Sequence, residues 1–182
     1  MKTLEINPLV RIAPVQLKHA ENMFRWMSDS DVAKNVGLRQ KPSRQKTKAW
    51  IGNAARDNLI CAHAIYLEKH HVGNVVIDKI DAYLRTARLS IYIGEKAARR
   101  QGVATTAIYL ALKRAFATHK LHKVCLTVHE QNTGAIAGYT KFGFVVEGIL
   151  RDEFRMNNRR INAFFMSLLR NEFNQIQTHI RL

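Results

Sequence analysis

The spacing of apolar residues along the chain switches between strand-like alternation and helix-like periodicity. The segment "LVRIAP" has the alternation of a short strand. In residues 16–28, four apolar side chains then stand at helical spacing: Leu17, Ala20, Phe24 and Met27. A basic turn, "GLRQKPSRQ", leads into a second predicted helix around "KTKAWIGNAAR". The pattern therefore begins with one strand and two helices.

The apolar runs that follow have the character of strands. The run "LICAHAIYLEKHHVGNVVIDKI" predicts two strands joined near residues 69–71, and "TARLSIYIG" predicts a third. One face of this third strand is apolar and carries Leu89, Ile91 and Ile93. The other face carries Arg88, Ser90 and Tyr92.

The second half of the chain alternates helix and strand before a long hairpin. In "EKAARRQGVATTAIYLALKRAF", Gly102 ends a turn and a helix follows, whose apolar stripe is Ile108, Ala111, Leu112, Ala115 and Phe116. Next come a strand, "KVCLTVHE", and a short helix ended by the glycine of "KFGF". The segments "FVVEGILRDEF" and "RRINAFFMSLL" predict a hairpin. We therefore predict one α/β domain over 1–182 with a mixed central sheet, flanking helices and a C-terminal tail over 172–182.

The amino-acid composition limits the kinds of binding partner that we expect. Of the 182 residues, 47% are hydrophobic, which is typical of a folded domain. The formal charge of +15 indicates anionic partners. Lysine and arginine are spread along the whole chain and are not interleaved with aromatic residues, so we do not expect nucleic acid as a partner.

The chain also lacks the signals of a membrane or metal protein. No apolar run approaches the roughly 18 residues of a membrane span, and the first residues lack the order of a signal peptide. We expect a cytoplasmic protein without membrane insertion. Cys61 and Cys125 lie in apolar stretches without metal-ligand spacing, so we expect no metal.

The turn "RRQGVATT" has the character of an anion site. Gly102 and Ala104 are small residues where a strand enters a helix, and free backbone N–H groups and the positive end of the helix dipole meet there. Such a place binds phosphate. A tight turn alone would also explain Gly102, and this short element does not distinguish the two.

Three motifs together resemble the Gcn5-related N-acetyltransferase (GNAT) superfamily. They are Arg99-x-x-Gly102-x-Ala104 after "LSIYIG", "VHEQN" ending at Asn132, and "YTKFGF" from Tyr139, and the likeness runs over about 10–172. The resemblance implies the GNAT fold, with acetyl-CoA held in the splay between two central strands.

The resemblance also implies cosubstrate contacts. The turn would bind the pyrophosphate of acetyl-CoA, although Ala104 stands where glycine is commoner. The strand before it and Asn132 would meet the amide arm of CoA. The cofactor-binding residues predicted in this way are Ile91, Tyr92, Ile93, Arg99, Arg100, Gln101, Gly102, Val103, Ala104, Thr105 and Asn132.

The family implies a general acid, but the usual base is missing. Tyr139 lies seven residues after Asn132, where relatives aim a tyrosine at the CoA sulfur; a core tyrosine is the other interpretation. Many relatives carry a glutamate fourteen residues before the turn glycine, and here that residue is Arg88. We predict Tyr139 as the acid and Glu130 as the catalytic base. His129, Asp78 and Asp81 are alternatives, and each could instead be structural.

The arginine at position 88 determines which kind of acceptor the sequence favours. A cation there should repel an ammonium ion, which favours an amine of low pKa such as one on a nucleotide-linked sugar. Segments such as "HVGNVVIDKID" and "EGILRDEFRMNNRRINAFF" resemble the branch that acetylates such sugars for surface polysaccharides. We therefore predict a dTDP- or UDP-linked aminodeoxy sugar as acceptor, bound by Arg39, Arg88, His129 and Arg155.

Other functions stay open at this point. The same pattern is shared with N-terminal acetyltransferases of ribosomal and other proteins, and the basic charge also suits a non-catalytic nucleic-acid-binding module. Edge pairing through the final hairpin would allow a homodimer.

Overall fold

A computed structural model describes residues 3–38, 40–156 and 158–181 of the chain. The first elements are β1 (Leu4–Glu5), β2 (Val10–Pro14), α1 (Ala20–Met27), α2 (Ser30–Asn35) and α3 (Arg44–Ala54). The middle of the chain forms β3 (Cys61–Leu67), β4 (His70–Asp81), β5 (Thr86–Ile93), α4 (Val103–Thr118), β6 (Lys123–His129) and α5 (Thr133–Phe142). The last elements are β7 (Val145–Met156), β8 (Arg159–Leu169), α6 (Arg170–Gln177) and β9 (Ile180–Arg181). Among these described helices, none is both long and apolar enough to cross a membrane.

A seven-stranded mixed sheet forms the centre, in the order β2-β3-β4-β5-β6-β8-β7. β5 and β6 run parallel, and the other neighbours in this sheet are antiparallel. β1 and β9 form a separate parallel pair. The predicted α/β fold with a mixed central sheet is confirmed.

The sheet opens between its two parallel strands. β5 and β6 pair only at their first residues, and Arg88 opposite Cys125 is the last pair. β4 stays paired with β5 as far as Ile93, and β8 stays paired with β6 as far as His129. A wedge therefore separates the remainder of β5 from β6, and the backbone of residues 89–93 has one free edge. This is the predicted splay.

The main core lies between α4 and one face of the sheet. The predicted stripe of α4 is buried there, with Leu112 fully covered and Ala111 and Ala115 each 2% exposed. Removing such side chains from water contributes about 0.8 kcal/mol per buried methylene group. A smaller cluster lies on the opposite face under α1 and α3, and it includes Met23 and Ile51.

Two helical expectations need correction. Leu17 lies in a 3-10 turn ahead of α1 and is 61% exposed, because the α-helix begins only at Ala20. The buried side of α1 is accordingly formed by Ala20, which was predicted, together with Met23 and Trp26. Residues 172–182 were expected to form a tail, but they begin inside α6, where Phe173 is 1% exposed.

Candidate active site

The turn between β5 and α4 presents a set of free backbone N–H groups. Gly102 is the N-cap of α4, has φ of +72°, and offers no side-chain cap. Within the described part of the chain, the N–H groups of residues 103–105 have no acceptor, and Thr106 N donates to Gly102 O at 3.0 Å. A Cβ added at Gly102 would meet only Asn7 Cβ, at 3.8 Å. The open space and the helix dipole suit a phosphate.

Asn7 holds this turn from the start of the chain, and sequence analysis missed it. Its Nδ2 donates to Gln101 O at 2.9 Å, and its backbone N donates to Thr106 Oγ1 at 2.9 Å. The Thr106 hydroxyl oxygen therefore already accepts a hydrogen bond from within the fold. Thr105, the neighbouring residue, is half-buried. No local pattern connects Asn7 with a turn more than ninety residues away, so only the fold reveals the contact.

The basic residues of the turn differ in orientation. Arg99 Nε donates to Ile93 O at 3.2 Å, so its side chain lies back along the end of β5. Arg100 is exposed and has φ of +62°. Gln101 Nε2 donates to Ala97 O at 2.6 Å, which closes the turn on itself. Arg100 and Gln101 are both exposed, and of the three side chains only that of Arg100 makes no hydrogen bond with the described residues.

β5 divides its side chains between the two faces of the sheet. Ile91 and Ile93 pack on the main core, as predicted. Tyr92 points to the other face, where its hydroxyl accepts a hydrogen bond from Asn74 Nδ2 at 2.5 Å. Burial raises the pKa of Tyr92. Beyond Arg88 the backbone of β5 is not paired with β6, although Ile93 O already accepts from Arg99 Nε. The Tyr92 side chain lies on the α1 side, beside Trp26.

α5 positions the predicted general acid. Asn132 caps the helix, since its Oδ1 accepts from Ala135 N at 3.2 Å. Two turns later, Tyr139 packs edge-to-face on Phe144, with ring centroids 5.7 Å apart, on the α4 side of the sheet. Burial raises the pKa of Tyr139 to about 12, so the phenol keeps its proton at neutral pH. Its hydroxyl has no partner among the described residues.

Arg88 is paired with a carboxylate from the neighbouring strand. Asp78 lies directly opposite it in the β4–β5 ladder. Arg88 Nε donates to Asp78 Oδ1 at 2.9 Å and Nη2 donates to Oδ2 at 2.7 Å. The bond to Asp78 raises the pKa of Arg88. Arg88 therefore presents no unbalanced positive charge, and the repulsion expected for an ammonium acceptor is wrong.

Glu130 and His129 are engaged in the fold at the end of β6. Glu130 Oε1 accepts from Asn162 N at 3.3 Å. His129 is 3% exposed; its Nε2 lies 3.1 Å from Asn35 Oδ1, and its buried Nδ1 has no partner in the described chain. Burial lowers the pKa of His129, which favours the neutral ring. The roles of Glu130 as base and His129 as acceptor ligand stay predictions.

Of the remaining predicted acceptor ligands, the structure describes Arg155. Arg155 is exposed near the β7–β8 turn, where its Nη2 donates to Asn158 Oδ1 at 3.0 Å. Arg39 lies outside the described residues.

A buried polar cluster under α1 was also missed by sequence analysis. Gln16 N donates to His19 Nδ1 at 2.8 Å, so His19 Nε2 carries the proton and donates to the Tyr66 hydroxyl at 2.6 Å. His71 Nε2 lies 3.2 Å from Asn74 Oδ1, and Asn74 in turn holds Tyr92. Burial lowers the pKa of His19 to about 4. The cluster is therefore neutral at pH 7 and fixes the side of β5 that faces away from α4.

Comparison with known proteins identifies the family. The sequence model of the acetyltransferase (GNAT) domain matches residues 10–145. The chain therefore belongs to the GNAT acetyltransferase family. The family predicted from the three motifs is confirmed.

Two of the curated relatives are named for the substrate spermidine. The spermidine N(1)-acetyltransferase of Escherichia coli (strain K12) is 35% identical over 101 residues, which is 56% of this chain and 54% of that protein. The enzyme of the same name from Vibrio cholerae is 33% identical over 106 residues, or 58% of this chain and 61% of that protein. The chain thus spans little more than half the length of these two relatives.

A solved structure shows the same fold. The crystal structure of spermidine N-acetyltransferase from Vibrio cholerae in complex with CoA and spermine has a TM-score of 0.87 and 23% identity, covering 92% of this chain and 99% of that chain. The predicted GNAT fold is confirmed. The predicted acceptor, a nucleotide-linked amino sugar for surface polysaccharides, is wrong, since these relatives are spermidine N-acetyltransferases.

Proposed function

We propose that the protein transfers the acetyl group of acetyl-CoA to a primary amine of a polyamine. The likeness to spermidine N(1)-acetyltransferases, at 35% identity over 101 residues, carries this proposal. The Asp78–Arg88 pair supports it, because the site does not oppose a polycation as a lone arginine would.

The turn and the wedge would hold the cosubstrate. Backbone N–H groups at residues 103–105 and the dipole of the 16-residue α4 would receive the pyrophosphate, and Arg100 would add a positive charge. The free edge of residues 91–93 and the amide of Asn132 would bind the extended arm. When bound, acetyl-CoA supplies the activated acetyl group as a thioester.

Tyr139 would assist the departing sulfur. A thiol has a pKa of about 8.5, so charge builds on sulfur as it leaves and a nearby hydrogen-bond donor stabilises it. Tyr139 stays protonated over the working pH range and its hydroxyl is uncommitted within the described chain. Backbone N–H groups on the free edge of β5 would stabilise charge on the acetyl oxygen.

The amine must lose a proton before it can attack. A primary alkylamine resembles lysine, whose pKa is about 10.4, so only about one molecule in 2,500 is neutral at pH 7. A nearby acceptor for that proton, such as Glu130 through water, would raise the reactive fraction. Glu130 keeps Oε2 free of partners within the described residues, which is compatible with this role.

The proposal is tested by measuring CoA thiol release with a panel of acceptors. Spermidine, spermine, an amino-terminal peptide and a simple monoamine are compared at equal concentration, and mass spectrometry identifies the product. We expect the polyamines to give the highest kcat/KM and a singly acetylated product. Acetylation of the peptide alone would overturn the proposal in favour of a protein N-terminal acetyltransferase.

A further inference from the structure

Asp78 lies on the face of the sheet that α4 leaves uncovered. The β4–β5 register places Asp78 opposite Arg88, and Ile77 opposite Leu89. Ile77 and Leu89 are buried in the core against α4, at 1% and 3% exposure. Since side chains alternate along a strand, Asp78 and Arg88 project from the opposite face.

This carboxylate stands beside the apex of the wedge. Arg88 and Cys125 form the last β5–β6 pair, so the strands separate directly after them. Asp78 is on the next strand across from Arg88, about 5 Å away by ordinary strand spacing. A group bound at Asp78 therefore lies one strand from the backbone edge that the wedge exposes.

An acceptor would reach the thioester from this face. Tyr139, the proposed donor to the departing sulfur, packs with Phe144 on the α4 side. In the tetrahedral adduct the nitrogen and the sulfur are separate substituents of the acetyl carbon. With the sulfur held beside Tyr139 on the α4 side, the face away from α4 would be open to the amine. Asp78 is a carboxylate on that side.

Asp78 retains capacity to bind a cation. Each of its oxygens accepts one hydrogen bond from Arg88, whereas a carboxylate offers about four acceptor positions. Its side chain is 22% exposed. The bidentate contact fixes the carboxylate plane and leaves the outer positions of both oxygens to a ligand.

We propose that Asp78 binds a charged nitrogen of the polyamine, the one next to the amine that is acetylated, and that this nitrogen competes with Arg88 for the carboxylate. This inference rests on the proposed polyamine activity. Many relatives carry a glutamate on β5 where Arg88 stands; in this proposal Asp78, on the neighbouring strand β4, provides the carboxylate instead. Neighbouring nitrogens of a polyamine are separated by a few methylene groups, a distance comparable with one strand spacing.

The test compares Asp78→Asn with a matched control, Asp57→Asn. Asp57 is exposed in the loop after α3 and its Oδ1 accepts from Leu59 N, a bond that asparagine retains. Losing one charge-assisted hydrogen bond should raise the KM for spermidine about tenfold in Asp78→Asn, with kcat changed less. The control should match the wild type, and thermal melting with CoA verifies that both variants are folded.

Butylamine and 1,4-diaminobutane separate anchoring from proton transfer. The diamine keeps a second charged nitrogen and should lose about tenfold in affinity in Asp78→Asn. The monoamine should lose clearly less, because it has no second nitrogen to anchor and meets only the repulsion of the unpaired Arg88. Equal losses on both amines, or an unchanged KM for spermidine, would overturn the inference. If wild-type protein acetylates no polyamine, the proposed function fails before Asp78 is tested.

Arg88→Met gives an independent test of opposite sign. It removes the cation that competes for Asp78, so the KM for spermidine should fall about threefold or more. A raised KM in this variant would show that Arg88, rather than Asp78, contacts the acceptor, and would contradict the inference.

Discussion

The cosubstrate side and the acceptor side of the wedge are built from different parts of the chain. On the cosubstrate side, a glycine with positive φ and the first turn of α4 present backbone groups within one continuous stretch. On the acceptor side, Asp78 and Arg88 meet across two strands. Backbone sites made by consecutive residues leave a motif in the sequence, whereas side-chain pairs between strands depend on register and leave none.

Tyr139→Phe should have the largest effect and tests the cosubstrate side. The change removes one hydroxyl and keeps the ring on Phe144. We expect kcat to fall about 100-fold, as for loss of a general acid, with acetyl-CoA affinity nearly unchanged. Steady-state thiol release and calorimetric titration of acetyl-CoA measure the two quantities. An unchanged kcat would assign Tyr139 to the core alone.

Gly102→Ala tests whether the turn depends on its backbone. A residue with Cβ at φ of +72° is strained by about 1–2 kcal/mol, so acetyl-CoA binding should weaken about tenfold as the turn relaxes. Gly134→Ala is the control, because a Cβ there meets nothing within 4 Å. Equal affinities for the two variants would mean that the conformation of Gly102 is not needed for binding.

Asn7→Ala should have a smaller effect on the same side. It removes the amide bond to Gln101 O while the backbone bond to Thr106 remains. One neutral hydrogen bond contributes about 1 kcal/mol, so acetyl-CoA affinity should fall about threefold. Asn53→Ala on α3 is a suitable control. A fall confined to thermal stability would limit Asn7 to a structural role.

On the acceptor side, the buried His19 should make the stability of the fold depend on pH. The pKa of His19 is lowered from 6.5 to about 4 in the fold, so between these values the unfolded chain binds a proton that the folded chain does not. Stability is therefore complete above pH 6.5 and falls as the pH drops towards 4. We expect the melting temperature of His19→Gln to change less over this window, and an identical pH profile would exclude His19 as a cause.

Sequence patterns predicted most of the fold because its long elements have clear periodicity. The apolar stripe of α4 and the alternation of β5 both place their residues as expected. α2 was missed because Val32 is its one fully buried residue, so no stripe is visible. α6 was missed because it starts directly after β8 without a turn signal.

The candidate site was predictable only where its residues are local. Arg88 was recognised by counting back from Gly102, but its partner required the strand register. A register shift between Asp78 and Asp81 interrupts the β4–β5 ladder, so counting across the turn does not identify the opposing residue. The single-domain boundary, the predicted homodimer and the individual site roles stay predictions.

The pairing of β1 with β9 connects both ends of the described chain to the cosubstrate turn, because Asn7, which holds that turn, follows shortly after β1. β1 lies two residues before Asn7, and β9 is its partner in the small sheet. Cutting the chain before Ile180 would remove the partner strand of β1 and leave Asn7 to be held by the core packing of Leu4 and Ile6, which should loosen its contacts with Gln101 and Thr106. Fusion partners attached near either end should therefore be separated by flexible linkers. Otherwise a fusion that disturbs the β1–β9 pair would itself change the measured affinity for the cosubstrate.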